Sequence, residues 1–248
     1  MRLKDRVIIV TGAGRGIGLG IAQACVREGG CVGLCDVDAG LVSREAAQLA
    51  ASGGRAMAFR MDVTDRGQID DVVGQMLNRF GRIDVLVNNA GIYEVLPFEA
   101  ITEAKWNRLL AVNLTGTFLC CQAVVGPMKR QGSGRIVSMA SSAGKSGGTL
   151  AGAHYSVSKA GIICLTKQLA RELGPHGITV NAVAPGRIDT PMIQSVSAEE
   201  NEDFVRRTPL GRLGTAADVA ACVVFLASDE ASFITGEIVD VNGGLLID

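Results

Sequence analysis

The sequence predicts an α/β protein built on a single doubly wound parallel sheet with helices on both faces. Three observations carry this. Short runs rich in β-branched residues alternate with longer helical stretches. The runs are apolar throughout, so both faces of each strand need a cover, as in a parallel sheet layered between helices. A glycine-rich turn, Thr11-Gly12-Ala13-Gly14-Arg15-Gly16-Ile17-Gly18, joins the first run to the first helical stretch. Right-handed crossovers then bring every strand's carboxyl end to one edge, where such sheets bind ligands.

The strands read off in order. Val7 to Val10 is the first, and the helix after it runs from Gly18 to Glu28, stopped by Gly29-Gly30. The second covers Val32 to Cys35 and ends at Asp36. The third starts at Ala56 and ends at Asp62. Ile83 to Val87, Arg135 to Met139, Thr179 to Val183 and Ile238 to Val241 supply the rest. No Pro/Ser-rich or charged linker interrupts the chain, so residues 1–248 are expected to form one domain.

Composition excludes several classes. The net charge is −1 with both signs interspersed, so neither a nucleic acid nor an anionic membrane is an expected partner. No uninterrupted apolar run approaches the ~18 residues that span a bilayer, and Met1 to Arg6 lacks a signal-peptide stretch. Seven cysteines, Cys25, Cys31, Cys35, Cys120, Cys121, Cys164 and Cys222, lie in apolar segments without a Cys-x-x-Cys pair. They read as buried reduced thiols, which predicts a cytoplasmic protein. His154 and His176 show no ligand spacing with them, so no metal site is expected.

The glycine turn has a chemical reading. Its glycines let backbone N–H groups approach a pyrophosphate, and the helix that follows favours the negative charge at its N-terminus. Asp36, ending the second strand, suits the hydroxyls of a ribose and repels a 2′-phosphate. Arg15 dissents, because a basic residue there suits the 2′-phosphate. Asp36 is weighted more heavily, so NAD is the expected cofactor and NADP the less favoured one. Farther along, Tyr155 and Lys159 are four residues apart in one helical stretch, on one face and one turn apart. A free tyrosine titrates near ~10. A nearby cation favours its phenolate and lowers that value by roughly 1–3 units, making the phenol a competent acid or base at neutral pH.

The glycine turn, Asn88-Asn89-Ala90-Gly91, Asn113, Ser141-Ser142 and Tyr155-Ser156-Val157-Ser158-Lys159 occur in an order that resembles the short-chain dehydrogenase/reductase family over essentially the whole chain. The resemblance implies a Rossmann fold and a nicotinamide-dependent oxidoreductase interconverting a secondary alcohol and its ketone. It implies that Gly12, Arg15, Gly16, Ile17 and Gly18 hold the pyrophosphate side. Asp62 and Val63 contact the adenine, and Asn89, Ala90 and Gly91 run close to the cofactor. Pro185, Gly186, Ile188 and Thr190 hold the nicotinamide carboxamide. Tyr155 is the implied acid/base, Lys159 also binds the nicotinamide ribose, and Asn113 supports a water in a proton relay. Asn88 fits either a cofactor-side role or a structural amide.

Two serines compete for the substrate-oxygen contact. The family's usual spacing selects Ser142, whereas alignment on the strand Arg135 to Met139 selects Ser141. Strand register is firmer than loop length, so Ser141 is chosen, with one extra residue in the loop Ala143 to Ala153. The polar stretch from about 192 to 214 is expected to be a substrate lid. Tyr93, Glu94, His154, Arg187 and Met192 are candidate pocket walls. Arg187 is read as a surface ion pair rather than an anion receptor. For His154, substrate contact and packing stay open. A polyol, sugar or hydroxy acid is the expected substrate. The alternative is a 3-oxoacyl-acyl-carrier-protein reductase, which the ending from Ile234 to Gly244 resembles. A non-catalytic dinucleotide sensor is the remote reading. The family also implies a homotetramer, with Leu109 to Val125 and Ala160 to Leu169 as candidate inter-subunit helices.

Overall fold

A computed structural model describes residues 1–148, 151–191 and 197–247. Its seven strands are β1 (Val7–Thr11), β2 (Cys31–Asp36), β3 (Arg55–Arg60), β4 (Val85–Asn88), β5 (Gly134–Met139), β6 (Ile178–Pro185) and β7 (Ile238–Val241). They form one parallel sheet in the order β3-β2-β1-β4-β5-β6-β7. The order reverses direction between β1 and β4, which opens a crevice above their carboxyl ends.

Strand alternation divides the core. Ile8, Val10, Val32 and Leu34 face one side and pack with α1 (Gly16–Arg27), α2 (Ala39–Ala51) and α9 (Ala216–Ala227). Val7, Ile9, Leu86 and Ile136 face the other, against α3 (Arg66–Phe80), α5 (Gly116–Gln131) and α7 (Ala153–Leu173). Each such side chain contributes about 1.5–3 kcal/mol when fully buried, which explains why the strands carry so few polar residues. Of the short helices α4 (Glu103–Leu110), α6 (Ser142–Ser146) and α8 (Ala198–Arg207), the first two pack on α7. Side-chain caps start several of the helices. Asp38 accepts from Leu41 N, Asp65 from Gln68 N, and Ser197 and Glu200 form a reciprocal capping box.

Several expectations need correction. β3 stops at Arg60, short of Asp62, whose carboxylate instead turns the chain by accepting from Thr64 N and Oγ1 at 2.9 and 2.8 Å. The loop expected between Ala143 and Ala153 contains α6. Cys164 is exposed and Cys222 half-buried, whereas the other five thiols are buried as read. The apolar content around residues 103–131 is also greater than an uninterrupted-run count suggests. α4, a π-helical turn (Ala111–Thr115) and α5 join into one helix, Glu103–Gln131, long and apolar enough by length and composition to cross a membrane. One face of it, with Cys120, Cys121, Val124 and Met128, lies in the sheet core, as core helices commonly do.

Candidate active site

The glycine turn leaves β1 into α1 and is held from the next strand of the crevice. Thr11 Oγ1 accepts from the backbone N–H groups of Asn89 and Ala90 at 3.0 and 2.9 Å. Asn89 Nδ2 donates to the carbonyls of Thr11 and Gly12, both at 3.0 Å. The approach is close enough to require glycine. A Cβ on Gly18 would lie 2.1 Å from Gly12 O, and one on Gly12, where φ is +63°, would lie 2.8 Å from Ala90 Cα. Asn88 settles on the structural side of its two readings: Nδ2 donates to Ser138 Oγ and Cys121 Sγ, each at 3.2 Å, tying β4 to β5 and α5.

Asp36 sits at the rim of this turn. Its Oδ2 accepts from Gly14 N at 3.0 Å and its Oδ1 from Asp38 N at 3.1 Å. The carboxylate is therefore fixed beside the turn with acceptor capacity left over. Arg15 is exposed and Ile17 half-buried at the start of α1. Gly16 faces Thr190, with a Cβ position 3.6 Å from Thr190 Cβ. Thr190 Oγ1 donates to Ile188 O at 3.3 Å, and Ile188 itself is buried and bridged to Gly214. Gly186 N donates to Val241 O at 3.0 Å, which pins the chain just after Pro185 at the end of β6. Val63 is buried against Gly116. The turn, Asp36 and the segment 185–190 thus line one crevice, and this glycine cradle with a carboxylate at its rim fits a dinucleotide.

The second group of residues meets beyond the ends of β5 and β4. Ser141 caps α6, its Oγ accepting from Ala143 N at 3.1 Å, and its hydroxyl lies beside the Tyr155 phenol, where it favours the phenolate. α6 seats directly on α7: a Cβ on Gly144 would lie 2.7 Å from the Lys159 carbonyl carbon. Ser142 uses its carbonyl to accept from Ser146 Oγ at 3.0 Å. Lys159 is buried, donates to Met139 O at 2.7 Å, and holds its ammonium 5.6 Å from the Tyr155 ring centroid. Asn113 lies in the π-helical turn, a distortion common at functional sites. Its amide accepts from Ile92 N at 2.8 Å and donates to Ile92 O at 3.0 Å and Ser158 Oγ at 3.2 Å. It therefore joins the segment after β4 to α7.

The electrostatics differ from the expectation for an isolated Tyr–Lys pair. Burial pushes the Tyr155 phenol up to about 12, against a smaller lowering by the Ser141 hydrogen bond. Burial also pushes the Lys159 ammonium down to about 8. The Met139 carbonyl, rather than the phenol, accepts the ammonium's hydrogen bond. An unfolded lysine titrates at 10.5, so between that value and about 8 the unfolded chain binds the extra proton and stability rises with pH. Below that window the buried charge costs about 3 kcal/mol. Lys159→Met is therefore expected to stabilise the protein by about 2 kcal/mol at pH 7 after the lost Met139 contact is deducted. The gain should fade as pH approaches 10. Urea unfolding at pH 7 and pH 10 measures both, and a destabilised variant at pH 7 would contradict the argument.

The candidate pocket walls sort themselves by contact. Tyr93 packs edge-on against Tyr155, with ring centroids 4.9 Å apart. His154 is fully buried, with Nε2 3.4 Å from Glu94 Oε2. Among the described residues Arg187 does not form the expected side-chain ion pair. It donates to Glu200 O at 2.8 Å and Asn201 Oδ1 at 3.0 Å and stacks 4.6 Å from the Phe204 ring, so it anchors α8. A cavity of about 440 Å³ lies between α8 and the turn after β7, walled by Arg187, Phe204, Leu210 and Asn242. Met192 lies outside the described residues, as does part of the expected lid. Two contributors escaped sequence reading. Thr11 was legible as the residue before Gly12 but not as a clamp. The Met139 carbonyl, a backbone group, leaves no sequence signal.

A glycine cradle that fits a dinucleotide and a Ser–Tyr–Lys group lie on one sheet edge, and comparison with known proteins gives the class of protein. A family model described as enoyl-(acyl carrier protein) reductase matches residues 12–246. The dehydrogenase subunit BbsD of Thauera aromatica, acting on a hydroxy(phenyl)methylsuccinyl-CoA, is 40% identical over 98% of both chains. Galactitol 2-dehydrogenase of Agrobacterium fabrum is 40% identical, again over 98% of each. The crystal structure of a 3-oxoacyl-(acyl-carrier protein) reductase from Brucella melitensis superimposes with a TM-score of 0.93 at 41% identity, covering 100% of this chain and 93% of that one. The chain belongs to the short-chain dehydrogenase/reductase family, nicotinamide-dependent oxidoreductases that act on CH–OH groups.

Proposed function

We propose that the protein is an NAD(H)-dependent dehydrogenase of a secondary alcohol, a polyol, sugar or hydroxy acid, with Tyr155 as general acid/base. The observation that carries this is the contact of Ser141 and Lys159 with Tyr155 on the sheet edge that also presents Asp36. The cofactor would be held by Gly12, Arg15, Gly16, Ile17 and Gly18 at the pyrophosphate, by Asp36 at the ribose, and by Asp62 and Val63 at the adenine. Asn89, Ala90 and Gly91 would flank it, and Pro185, Gly186, Ile188 and Thr190 would hold the carboxamide. When bound, the nicotinamide supplies the redox chemistry.

The chain's own residues handle the oxygen and the proton. Ser141 Oγ and the Tyr155 phenol orient the substrate oxygen between them. At neutral pH the phenol carries its proton, as a general acid for carbonyl reduction requires. For alcohol oxidation it accepts the hydroxyl proton, and the Lys159 ammonium stabilises the phenolate that precedes this step. Lys159 also binds the ribose hydroxyls. Asn113, by holding the segment at Ile92, keeps a place for the relay water. Of the expected lid at about 192–214, the described residues 197–214, with α8 anchored through Arg187, would cover the substrate.

The NAD preference and the galactitol dehydrogenase relative favour oxidation of a hydroxyl-rich substrate. The equally similar 3-oxoacyl reductase structure keeps thioester reduction as the second reading. Initial rates followed at 340 nm with NAD⁺ and a panel of hexitols, sugars and hydroxy acids test the choice. Turnover of at least one panel member is expected. Activity confined to NADPH and a 3-oxoacyl thioester would replace the first reading by the second. The free thiols of all seven cysteines fit a cytoplasmic location, which belongs to the same proposal. So does a homotetramer, supported by the exposed apolar side chains Phe118 on α5 and Val157 on α7.

A further inference from the structure

The residues flanking the reactive phenol are tied down from the opposite side of the loop that touches it. Tyr93 packs on Tyr155, and the next residue, Glu94, holds the residue before it. Glu94 Oε2 lies 3.4 Å from His154 Nε2. Glu94 O accepts from Gly152 N at 3.2 Å, just where α7 begins. Its other carboxylate oxygen accepts from Lys105 Nζ of α4 at 2.7 Å. Residues 93 and 94 are thus stapled to residues 152, 154 and 155 by one ring contact and two polar contacts. The fit is tight, since a Cβ on Gly152 would lie 2.6 Å from His154 Cε1.

This arrangement is more than surface pairing. His154 is completely buried, and its Nδ1 has no hydrogen-bond partner among the described residues. A buried imidazole with one unmet nitrogen costs stability, and a leucine or methionine would fill the same space without that cost. Glu94 is the carboxylate that meets the other nitrogen, and the hydrogen bond from Lys105 lowers the Glu94 carboxyl below its ordinary value. The groups facing Tyr155 are Ser141, the N-cap of α6, Lys159 from its own helix and Tyr93 from the loop after β4. Of these three, Tyr93 alone neither lies in a helix nor caps one. Its placement depends on what fixes residue 94.

We propose that Glu94, through His154 and Lys105, is a positioning residue for Tyr155, holding the phenol in register with Ser141. The inference rests on Tyr155 being the acid/base group. Releasing the loop lets the phenol drift from Ser141, whose hydrogen bond favours the phenolate. Removing the Glu94 charge alone acts the opposite way, so the two effects separate.

The test uses the full-length protein with whichever alcohol it turns over and NAD⁺. Glu94 is half-exposed, so its variants are expected to fold, and thermal melts check this. Glu94→Ala is expected to lower kcat by about 10- to 100-fold, since small displacements of reacting groups carry such penalties. The affinity for NAD⁺ should stay unchanged. The limb of the kcat–pH profile that belongs to Tyr155 should move up by about half a pH unit or more. Glu94→Gln keeps an acceptor for Lys105 or His154 and should recover kcat to within about threefold of wild type. Wild-type kcat and pH limb in Glu94→Ala would overturn the proposal. So would a downward shift of the limb, or equal losses in both variants, because either makes the charge and not the tether responsible. Tyr155→Phe separates the two readings. Turnover surviving in that variant overturns the acid/base assignment and this inference with it. Loss there, with Glu94→Ala unaffected, overturns this inference alone.

Discussion

Tyr155→Phe is expected to lower kcat by about 10²–10⁴-fold, or about 3–5 kcal/mol in the barrier, while NAD⁺ binding and the melting temperature stay close to wild type. The substitution removes one oxygen and keeps the ring that packs edge-on against Tyr93 at 4.9 Å. Ser141 retains its capping contact with Ala143 N, and Lys159 retains Met139 O. The supporting shell therefore survives the loss of the reactive group, and a fall in rate reports chemistry rather than folding. The wild-type rate should depend on pH through the same phenol, which burial holds at about 12 in the free chain. Oxidation, which needs the phenolate, should accelerate with rising pH, and reduction, which needs the protonated phenol, should not. Steady-state kinetics in both directions measure this. A variant within tenfold of wild type would remove Tyr155 from the mechanism.

Asp36→Ala is expected to weaken NAD⁺ binding by about 10- to 100-fold, the value of a charged hydrogen bond of about 1.5–3 kcal/mol, and to tighten NADP⁺ binding. The carboxylate is fixed at the rim of the glycine turn by Gly14 N and Asp38 N, so it cannot swing away from an incoming phosphate. Two like charges about 4 Å apart repel by about 4 kcal/mol at an effective dielectric of about 20, more than exposed Arg15 can offset across solvent. Asp36→Asn isolates that term by keeping an acceptor and removing the charge. It should gain NADP⁺ affinity with a smaller loss of NAD⁺ affinity. Titration calorimetry of the wild type and both variants decides the matter. Preferential NADP⁺ binding by the wild type would transfer the specificity role to Arg15 and favour thioester reduction.

These two residues illustrate what is legible in the chain and what is not. Asp36 and the glycine turn are contiguous features of strand ends, and strand ends are marked by the change from apolar runs to polar residues. Tyr155 and Lys159 share a helix, so their spacing alone places them on one face. That Ser141 rather than Ser142 lies beside Tyr155 was also open to register reasoning, because β5 fixes which way each residue points as it leaves the sheet. Contacts between distant segments were not legible. That Arg187 would clasp α8, or that Lys159 would donate a hydrogen bond to Met139 O, depends on which loops fold over the sheet edge. Asn113 was found by family resemblance, but the π-helical turn that aims it at Ile92 has no signature in local composition.

By itself, the sequence determined the layered fold and singled out residues that the structure gathers at one sheet edge. Hydrophobic periodicity and turn chemistry are local properties, and they suffice for those conclusions. Only the tertiary structure decided the protonation energetics and the restraints on the phenol. Burial, which raises Tyr155 and lowers Lys159, is set by chain segments far apart in sequence. The staple from Tyr93 and Glu94 to α7 joins residues about sixty positions apart. Desolvation and packing act through space, and a reading along the chain has no measure of either.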